Sequence, residues 1–400
     1  MRSPMLAAAL SLSLGLTGCS GDPAPTGPGS DGPQAATATA LTFIHVSAGG
    51  THSCAVSADH RAWCWGSNLR GQLGDGGTAD RLLPTRVAGG LLFLDVTAGD
   101  WHTCGITTDN RAYCWGLDDA GELGTAGSAA CSGKICRQPV AVAGSRRWRQ
   151  ISAGVSHTCA VTLDDKGFCW GEGDNGELGD GKSVGVNQPV AVSGGLVFRQ
   201  LTAGAAFTCG LTKANAVYCW GWNPYGQLGD RTKISRPTPG KVFGGLSFRQ
   251  VRAGFFFACG VTIDDVAYCW GNNFDGRTGT GKDDPRILKP TPVAGGLRFS
   301  RVTAGLGHGC GVAITGRAWC WGNNALGELG NGSLENSPVP VAVPGFRTWL
   351  EVRAGPDAAH TRGISTAGQA FCWGWNNSGQ LGDGTTQTRA SPVPILVPMN

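Results

Sequence analysis

Paired cysteines are the residues in this sequence whose type and spacing most directly predict chemistry. Sixteen cysteines are present, and twelve of them form six pairs in which nine residues separate the two partners. Thiols held opposite one another on neighbouring antiparallel strands lie within reach of a disulfide bond. The alternative is six pairs of free, buried thiols that act as small apolar side chains. The pairs are Cys54 and Cys64, Cys104 and Cys114, Cys159 and Cys169, Cys209 and Cys219, Cys259 and Cys269, and Cys310 and Cys320.

The four remaining cysteines have different surroundings. Cys131 and Cys136 are close enough in the sequence to bridge a loop of their own. Cys372 occupies the second position of a seventh pair whose first position holds Arg362, so we expect a free thiol there, buried rather than reactive. Cys19 belongs to the N-terminal segment described below. Because no CxxC spacing occurs, a zinc site is disfavoured, and the sequence predicts no metal ion and no cofactor.

Histidine recurs two positions before the first cysteine position in five copies of the pattern. Phe207 and Phe257 fill that position in the other two copies, so a structural hydrogen bond explains the histidines better than a metal ring does. No phosphate-binding loop and no set of nucleophile, base and orienting acid stands out, so we expect a protein that is not an enzyme. The five histidines are His52, His102, His157, His308 and His360.

These residues recur because the chain contains seven copies of one motif, seen most fully as CWGWNNSGQLGDGTT at 372–386. Successive copies are separated by 50, 55, 50, 50, 51 and 52 residues. Short alternating runs broken by Gly, Asp and Asn predict strands joined by turns. A period of about 50 residues with several strands in each copy predicts a β-propeller. We therefore expect an all-β fold, a seven-bladed β-propeller of four-stranded antiparallel blades.

The way the ring closes can also be predicted. We expect each blade to combine a proline-led run, a run ending in Ala-Gly and the two cysteine-bearing runs. In that order, the C-terminal run from Ser391 to Val397 completes the first blade beside Phe43 to Val46. Pairing of the N- and C-terminal strands then closes the ring and removes an open sheet edge.

The repeated pattern AGxxHTCxVT, a turn, YCWGxNxxGQLGDG and then PxxV resembles the repeat of the regulator of chromosome condensation family. The resemblance covers about Leu41 to Val397 and implies a seven-bladed propeller, which is the fold of that family. Members include a nuclear exchange factor for a small GTPase, plant ultraviolet photoreceptors and secreted bacterial inhibitors of β-lactamase. Cytosolic relatives usually have aliphatic or hydroxyl residues at both cysteine positions, which favours disulfides in this chain. The resemblance constrains the fold far more than the function.

The first residues resemble a bacterial lipoprotein signal. Arg2 precedes an apolar segment, Met5 to Leu16, that is too short to span a bilayer and ends in Leu16-Thr17-Gly18-Cys19. We expect residues 1–18 to be the signal peptide and Cys19 to carry the lipid. An ordinary secretory signal is the alternative, and both interpretations predict export.

The lipid interpretation places the protein in the bacterial envelope, and Ser20 favours the outer membrane. Residues 19–40 begin with the lipidated cysteine and continue as a flexible linker rich in Pro and Gly. The propeller then occupies residues 41–400. No later apolar run approaches the roughly 20 residues of a spanning helix, so we expect membrane contact only through the N-terminal lipid.

The charge balance argues against a nucleic-acid partner. The formal net charge is +4 over 400 residues and becomes +3 when Arg2 leaves with the signal. A nucleic-acid-binding surface of this size would carry a larger excess of Lys and Arg. We expect a monomer that binds an envelope or extracellular protein.

In a repeat protein, departures from the repeat are the positions where function is expected. The turns between Ala-Gly and His carry Trp101, Phe255, Phe256 and Leu306, and we expect these apolar groups to surround one mouth of the ring as a protein-binding face. Local packing under neighbouring turns is the alternative. A second departure is an insertion in blade two, residues 125–136, which the Cys131 to Cys136 bridge would order for contact with a partner; a tolerated insertion without a role in binding is the alternative.

Three functions follow from these observations. The first is a non-enzymatic, envelope-anchored propeller that binds another protein, or a polysaccharide, through one face. The second, implied by the resemblance, is guanine-nucleotide exchange on a small GTPase, although an exported protein would not meet a cytosolic GTPase. The third is a propeller hydrolase, which requires paired carboxylates that the sequence does not show. A photoreceptor would need clustered tryptophans, and only Trp101 lies in these turns.

Overall fold

The computed structural model describes residues 42–345 and 347–396. The predicted signal peptide 1–18, the lipidated Cys19 and the linker 19–40 lie outside the described residues, as do Leu41, Phe346 and residues 397–400. Within the described ranges the chain forms 28 strands and one short 3-10 turn, η1 (Phe274–Gly276). The fold is therefore all-β, as predicted.

The strands form seven four-stranded antiparallel sheets, and each sheet uses four strands that are consecutive in the sequence. Blades one to three contain β1 (Phe43–Ala48), β2 (His52–Ser57), β3 (Ala62–Gly66), β4 (Arg81–Arg86), β5 (Phe93–Ala98), β6 (His102–Thr107), β7 (Ala112–Leu117), β8 (Ile135–Ala141), β9 (Trp148–Ala153), β10 (His157–Thr162), β11 (Gly167–Gly171) and β12 (Val186–Ala191).

Blades four to seven repeat this arrangement. They contain β13 (Phe198–Ala203), β14 (Phe207–Thr212), β15 (Val217–Gly221), β16 (Arg236–Lys241), β17 (Phe248–Ala253), β18 (Phe257–Thr262), β19 (Ala267–Asn272), β20 (Arg286–Pro292), β21 (Phe299–Ala304), β22 (His308–Ala313), β23 (Ala318–Gly322), β24 (Ser337–Ala342), β25 (Trp349–Arg353), β26 (His360–Ser365), β27 (Ala370–Gly374) and β28 (Arg389–Pro394). The prediction of seven four-stranded blades is confirmed.

The predicted order of strands within a blade is wrong. The strand that precedes Ala-Gly is the innermost strand, because these seven strands contact one another around the axis, and the proline-led strand is the outermost. The C-terminal run pairs with β27, where Cys372 lies opposite Val393, so it completes blade seven rather than blade one. The physical reason is that a glycine-rich loop returns each Trp-Gly strand directly onto its own sheet. Pairing of the terminal strands therefore does not close the ring.

Packing between blades closes the ring instead. One apolar cluster lies at each junction between neighbouring blades, and each cluster contains one tryptophan of a Cys-Trp-Gly motif. At the junction of blades seven and one, Phe43, Val46 and Trp65 pack against Ile364 and Leu381. The seven tryptophans are fully buried: Trp65, Trp115, Trp170, Trp220, Trp270, Trp321 and Trp373.

Seven disulfides are present in the described residues, at the predicted positions. Six of them join the second and third strands of blades one to six at directly opposed residues, as in Cys159 and Cys169. The seventh joins Cys131 to Cys136. In blade seven, Arg362 stands opposite Cys372, which is buried and has no disulfide partner.

Arg362 is fully buried and contacts blade one rather than its own hairpin partner. Its guanidinium donates hydrogen bonds to the carbonyl oxygens of Ser47 and Cys54, the second at 3.2 Å. The guanidinium carbon also lies 5.1 Å from the ring centre of Trp65, a cation–π geometry. Blade seven thus replaces a covalent hairpin link with a buried cation that holds the ring closed.

Candidate functional site

The innermost strands of neighbouring blades run side by side in the same direction, because equivalent ends meet at each junction; Ala98 N, for example, donates to Ser47 Oγ. The propeller therefore has two different faces, each formed by one kind of loop. The turn face carries the turns between the first and second strands of every blade and the glycine-rich loops after each Trp-Gly. The hairpin face carries the turns between the second and third strands and the starts of the innermost strands. All four residues of the predicted binding face belong to the turn face.

The five recurring histidines link neighbouring blades. His52 Nε2 lies 2.7 Å from Thr103 Oγ1 in the next blade, and Thr103 donates to the Gln72 carbonyl oxygen. The hydroxyl must therefore accept from His52, so the proton is on Nε2. Burial, helped by the nearby Arg362 charge, lowers the pKa of His52 to about 3 and keeps the ring neutral. His102, His157 and His308 make the same contact. His360 Nε2 differs, because it accepts from Arg362 Nη2 at 3.1 Å and lies 3.3 Å from Ser53 Oγ. These contacts support a structural role for the histidines.

Five aromatic side chains from blades four and five form one group on the turn face, here called the aromatic cluster. Phe256 is its centre: its ring centre lies 4.7 Å from that of Trp222, 4.2 Å from Phe255 and 5.7 Å from Tyr225. Tyr225 in turn lies 6.0 Å from Phe274. Phe274 is 48% exposed, and the other four rings are half-buried. The cluster is thus an accessible apolar surface and not part of the core.

Buried asparagines hold the loops that present the cluster. Asn223, between Trp222 and Tyr225, is fully buried; its side chain accepts from Leu228 N at 3.0 Å and donates to the Ile234 carbonyl oxygen at 3.2 Å. Asn273, next to Phe274, makes the equivalent contacts with its own loop. Because each loop is fixed by several hydrogen bonds to one buried amide, the rings beside it have defined positions.

Leu306 lies next to the cluster, whereas Trp101 lies apart from it. Arg277 donates to the carbonyl oxygens of Phe274 (2.9 Å) and Leu306 (3.1 Å), so it joins the Phe274 turn to the Leu306 turn. Trp101 belongs to blade two, and its ring lies 5.9 Å from the Arg70 guanidinium carbon. Among the described residues, no ring contact joins Trp101 to the aromatic cluster.

Trp222, Tyr225 and Phe274 were not among the residues predicted for the binding face. They follow the Trp-Gly motif rather than Ala-Gly, and the two kinds of loop are about 20 residues or more apart in the sequence. A comparison of residues at equivalent positions after Trp-Gly would have identified Tyr225 and Phe274 as the aromatic residues among mostly polar or small ones, whereas Trp222 has an equivalent in Trp375 of blade seven. The signal is of the same kind as the one that identified Phe255 and Phe256, an aromatic residue that departs from the repeat, but it lies in the loop after Trp-Gly instead of the turn after Ala-Gly.

Two carboxyl groups meet on the turn face at the junction of blades seven, one and two. Asp100 and Asp357 are hydrogen-bonded to each other. Burial, and then the neighbouring Asp100 charge, raises the pKa of Asp357 to about 8, while burial also raises the pKa of Asp100. Two carboxyl groups this close share a proton at neutral pH. Asp357 comes from the longer turn that distinguishes blade seven.

The blade-two insertion forms a groove with blade three. A cavity of about 650 Å³ lies between them, lined by Asp118, Cys131, Lys134 and Asn187 among others. The Cys131 to Cys136 disulfide fixes one wall. Over residues 42–345 and 347–396, no group of three or more His, Cys, Asp or Glu side chains could hold a metal ion. In the same part of the chain, no helix is long and apolar enough to cross a membrane.

Comparisons with known proteins agree with this architecture. The sequence profile of the RCC1-like domain matches residues 90–400, and the Regulator of chromosome condensation (RCC1) repeat matches residues 59–106 and 43–72. The Ultraviolet-B receptor UVR8 of Arabidopsis thaliana is 30% identical over 122 residues, which are 30% of this chain and 28% of that protein. The match therefore spans less than a third of the receptor.

Solved structures with the same fold cover most of the chain. The crystal structure of human WBSCR16 gives a TM-score of 0.76 at 20% identity, over 84% of this chain and 94% of that one. Prp20p from Saccharomyces cerevisiae, studied with its binding to Gsp1p and histones, gives 0.73 at 18% identity, over 89% and 87%. At such identities the likeness shows the fold alone. Because the domain profile extends over well more than half of the sequence, the chain belongs to the RCC1-like domain family.

Proposed function

We propose that this chain is an exported, non-enzymatic propeller that is anchored in the bacterial envelope by a lipid on Cys19 and binds another protein through the aromatic cluster. The observation that carries the proposal is the cluster itself, five rings from two adjacent blades that are accessible on one face. Aromatic anchors of this kind dominate the energy of protein interfaces. The four residues predicted from sequence contribute Phe255 and Phe256 to it, with Leu306 beside it.

The fixed loops around the cluster suit binding. Asn223 and Asn273 are buried and hydrogen-bonded, so little loop ordering remains when a partner associates. The Arg286 guanidinium carbon lies 6.0 Å from the Tyr225 ring centre and adds a positive group at the edge of the cluster. A partner that presents an apolar segment flanked by an acidic residue would complement this surface.

The envelope location is supported by cysteine chemistry. Seven disulfides fit an exported protein, because reducing compartments keep thiols unpaired. Lipid on Cys19 would leave the propeller on a linker, with the outer membrane as the site of anchoring. The chain then acts as a monomer whose partner is an envelope or extracellular protein, with no nucleic acid involved.

Crosslinking in intact cells tests this proposal. A C-terminally tagged wild-type chain is expected to capture a specific envelope protein that the Trp222→Ala, Phe256→Ala, Phe274→Ala variant loses. Ile263→Ala is the matched control, since Ile263 is 54% exposed on the same blade but in the turn between β18 and β19, on the hairpin face. Circular dichroism and non-reducing electrophoresis confirm that each variant is folded and oxidised. Equal capture by wild type and the triple variant contradicts the proposed face.

The alternative, exchange-factor-like activity on a small GTPase, has the fold likeness to Prp20p as its support. It predicts accelerated release of labelled GDP from a GTPase in the presence of the purified propeller. Absence of a captured protein together with binding to a glycan array would favour the polysaccharide interpretation instead.

A further inference from the structure

The innermost strands are tied to one another by hydroxyl groups that line the axial channel. In five blades, a Ser or Thr at the second-last position of the innermost strand accepts a hydrogen bond from an alanine N–H of the following blade, at 3.0 to 3.2 Å. These residues are Ser47, Thr97, Ser152, Thr202 and Thr303. The hydroxyl thus has a clear structural purpose at this position.

Arginine replaces the hydroxyl in the other two blades. Arg252 and Arg353 stand at the equivalent positions of blades five and seven. A guanidinium group has no hydrogen-bond acceptor, so neither side chain can accept from the alanine N–H of the next blade, at Ala304 and Ala48 respectively. The two arginines therefore lack a contact between blades that the other five residues make.

Both arginines lie where two parts of the channel meet. They line a cavity of about 300 Å³ between the innermost strands of blades four to seven. They also line a narrower neck of about 60 Å³ that all seven innermost strands surround near the turn face. The larger cavity includes Arg301 and the starts of the strands, so it opens toward the hairpin face. This site is separate from the aromatic cluster, and its argument does not depend on the proposed function.

The charges around the channel leave one cation without a partner. Glu351 is shared by Arg353, whose Nε lies 2.9 Å away, and Arg301, at 3.3 Å. Across the channel, Asp95 lies 3.0 Å from His45. Arg252 makes no hydrogen bond and no direct ion pair with any residue in the described part of the chain, and the Glu351 and Asp95 carboxylates attract its charge only from a longer distance. Burial, and then the neighbouring Arg353 charge, lowers the pKa of Arg252 to about 10, so it remains charged at neutral pH.

From this geometry we infer that the channel binds a small oxyanion, a phosphate or carboxylate group, between Arg252 and Arg353. Four arginines and one carboxylate, that of Glu351, line the larger cavity. Arg249 is paired with Asp265, and the remaining three guanidinium groups face Glu351, so the site has an excess positive charge for an anion to neutralise. Guanidinium groups match oxyanions with two parallel hydrogen bonds. A half-buried cation without a partner is unfavourable, and a bound anion removes that penalty. The oxyanion can belong to a free small molecule or to a phospholipid headgroup.

Titration calorimetry with inorganic phosphate tests the site on the whole mature chain at low ionic strength. Wild type is expected to bind phosphate with one saturable site, and Arg252→Thr and Arg353→Thr each to weaken binding at least tenfold. Because threonine is the residue that other blades use here, Arg252→Thr is expected to fold with an unchanged or higher Tm. Arg353→Thr also removes the nearer ion-pair partner of the buried Glu351, so this variant is expected to fold with a lower Tm. Arg317→Thr, which removes an exposed arginine from the hairpin face, is expected to bind as wild type does.

A second measurement distinguishes the sources of the oxyanion. Vesicles of anionic phospholipid that sediment wild type, but not Arg252→Thr, would assign the site to a headgroup; no sedimentation together with phosphate binding would assign it to a free anion. The inference is overturned if wild type shows no saturable phosphate binding. It is equally overturned if the two arginine variants bind phosphate as tightly as wild type while remaining folded.

Discussion

Blades one to six and blade seven stabilise the same hairpin in different ways. In the first six, a disulfide joins opposed residues of the second and third strands, so both of its cysteines belong to the same blade. In blade seven, the opposed residues are Arg362 and Cys372, and the arginine reaches the carbonyl oxygens of Ser47 and Cys54 in blade one. The six disulfides stabilise individual sheets, whereas Arg362 stabilises a junction between sheets.

The difference shows that this ring has one special junction. His360 Nε2 lies 3.3 Å from Ser53 Oγ at this junction, but none of the seven described sheets contains strands from both ends of the chain. Side-chain contacts and a backbone hydrogen bond, from Gly384 N to the Leu82 carbonyl oxygen at 3.2 Å, therefore hold the first and last blades together. The buried Arg362 guanidinium and the Asp357 carboxyl both lie near this junction, where the chain itself does not connect the two blades.

Removing Arg362 is expected to have the largest effect on stability. Arg362→Met removes two charge-assisted hydrogen bonds, to the carbonyl oxygens of Ser47 and Cys54, and the contact with the Trp65 ring, which should lower the free energy of unfolding by about 3 to 5 kcal/mol. Urea unfolding at neutral pH with the disulfides intact measures this loss. Arg317→Met, an exposed arginine, is the control and should change the free energy by less than about 0.5 kcal/mol. A loss for Arg362→Met no greater than the control would mean that the junction does not depend on the cation.

Removing one blade disulfide is expected to have a smaller effect. The Cys159→Ala, Cys169→Ala variant relaxes a loop of ten residues in the unfolded chain, which should lower the free energy of unfolding by about 2 to 3 kcal/mol. The matched control is Cys372→Ala, which removes one buried sulfur atom without removing a disulfide. If the double variant loses no more stability than twice the control, the cysteines act as packing groups and the contrast between blades disappears.

The smallest effect concerns pH at the special junction. Because the pKa of Asp357 is raised to about 8 in the folded state, the unfolded chain loses this proton near pH 4 and the folded chain does not. The contribution to stability is therefore complete below pH 4 and is lost as the pH rises toward 8. The Asp357→Asn variant should therefore lose less stability than wild type as the pH rises. At pH 8.5 it should be more stable than wild type by about 1 to 2 kcal/mol.

Thermal unfolding at several pH values between 4.5 and 8.5 measures the slope of Tm against pH. Asp109→Asn is the control, because its hydrogen bond to Thr107 keeps the pKa of Asp109 below the usual range and outside this window. The expected slope of the control equals that of wild type. A slope unchanged in Asp357→Asn would show that the two carboxyl groups do not share a proton.

Much of the fold could be predicted from the sequence because the same motif occurs in seven copies, one for each blade. Each Cys-Trp-Gly motif marked one blade, and the nine-residue spacing of Cys159 and Cys169 marked a hairpin with opposed cysteines. The strand order within a blade could not be predicted from the repeat, since a periodic sequence does not state where its unit begins. Loop geometry decides that order, and Cys372 opposite Val393 shows the result.

The candidate site was predicted only in part, for a different reason. Phe255 and Phe256 were identified as departures from one turn, but their contacts with Trp222 and Tyr225 join loops of neighbouring blades. Such contacts depend on how blades pack, and no local pattern encodes them. Arg252 in the channel illustrates the same limit, because its environment is made by strands far apart in the sequence.

The separation in sequence between contacting residues has a consequence for how this chain reaches its folded state. The blade disulfides join residues ten positions apart, whereas Ser53 and His360, which meet across the special junction, are 307 positions apart. Contacts of short range form early and cost little loop entropy, and contacts of long range form late. We expect each blade to oxidise on its own before the ring closes, and the meeting of the first and last blades to be the slow, final step of assembly.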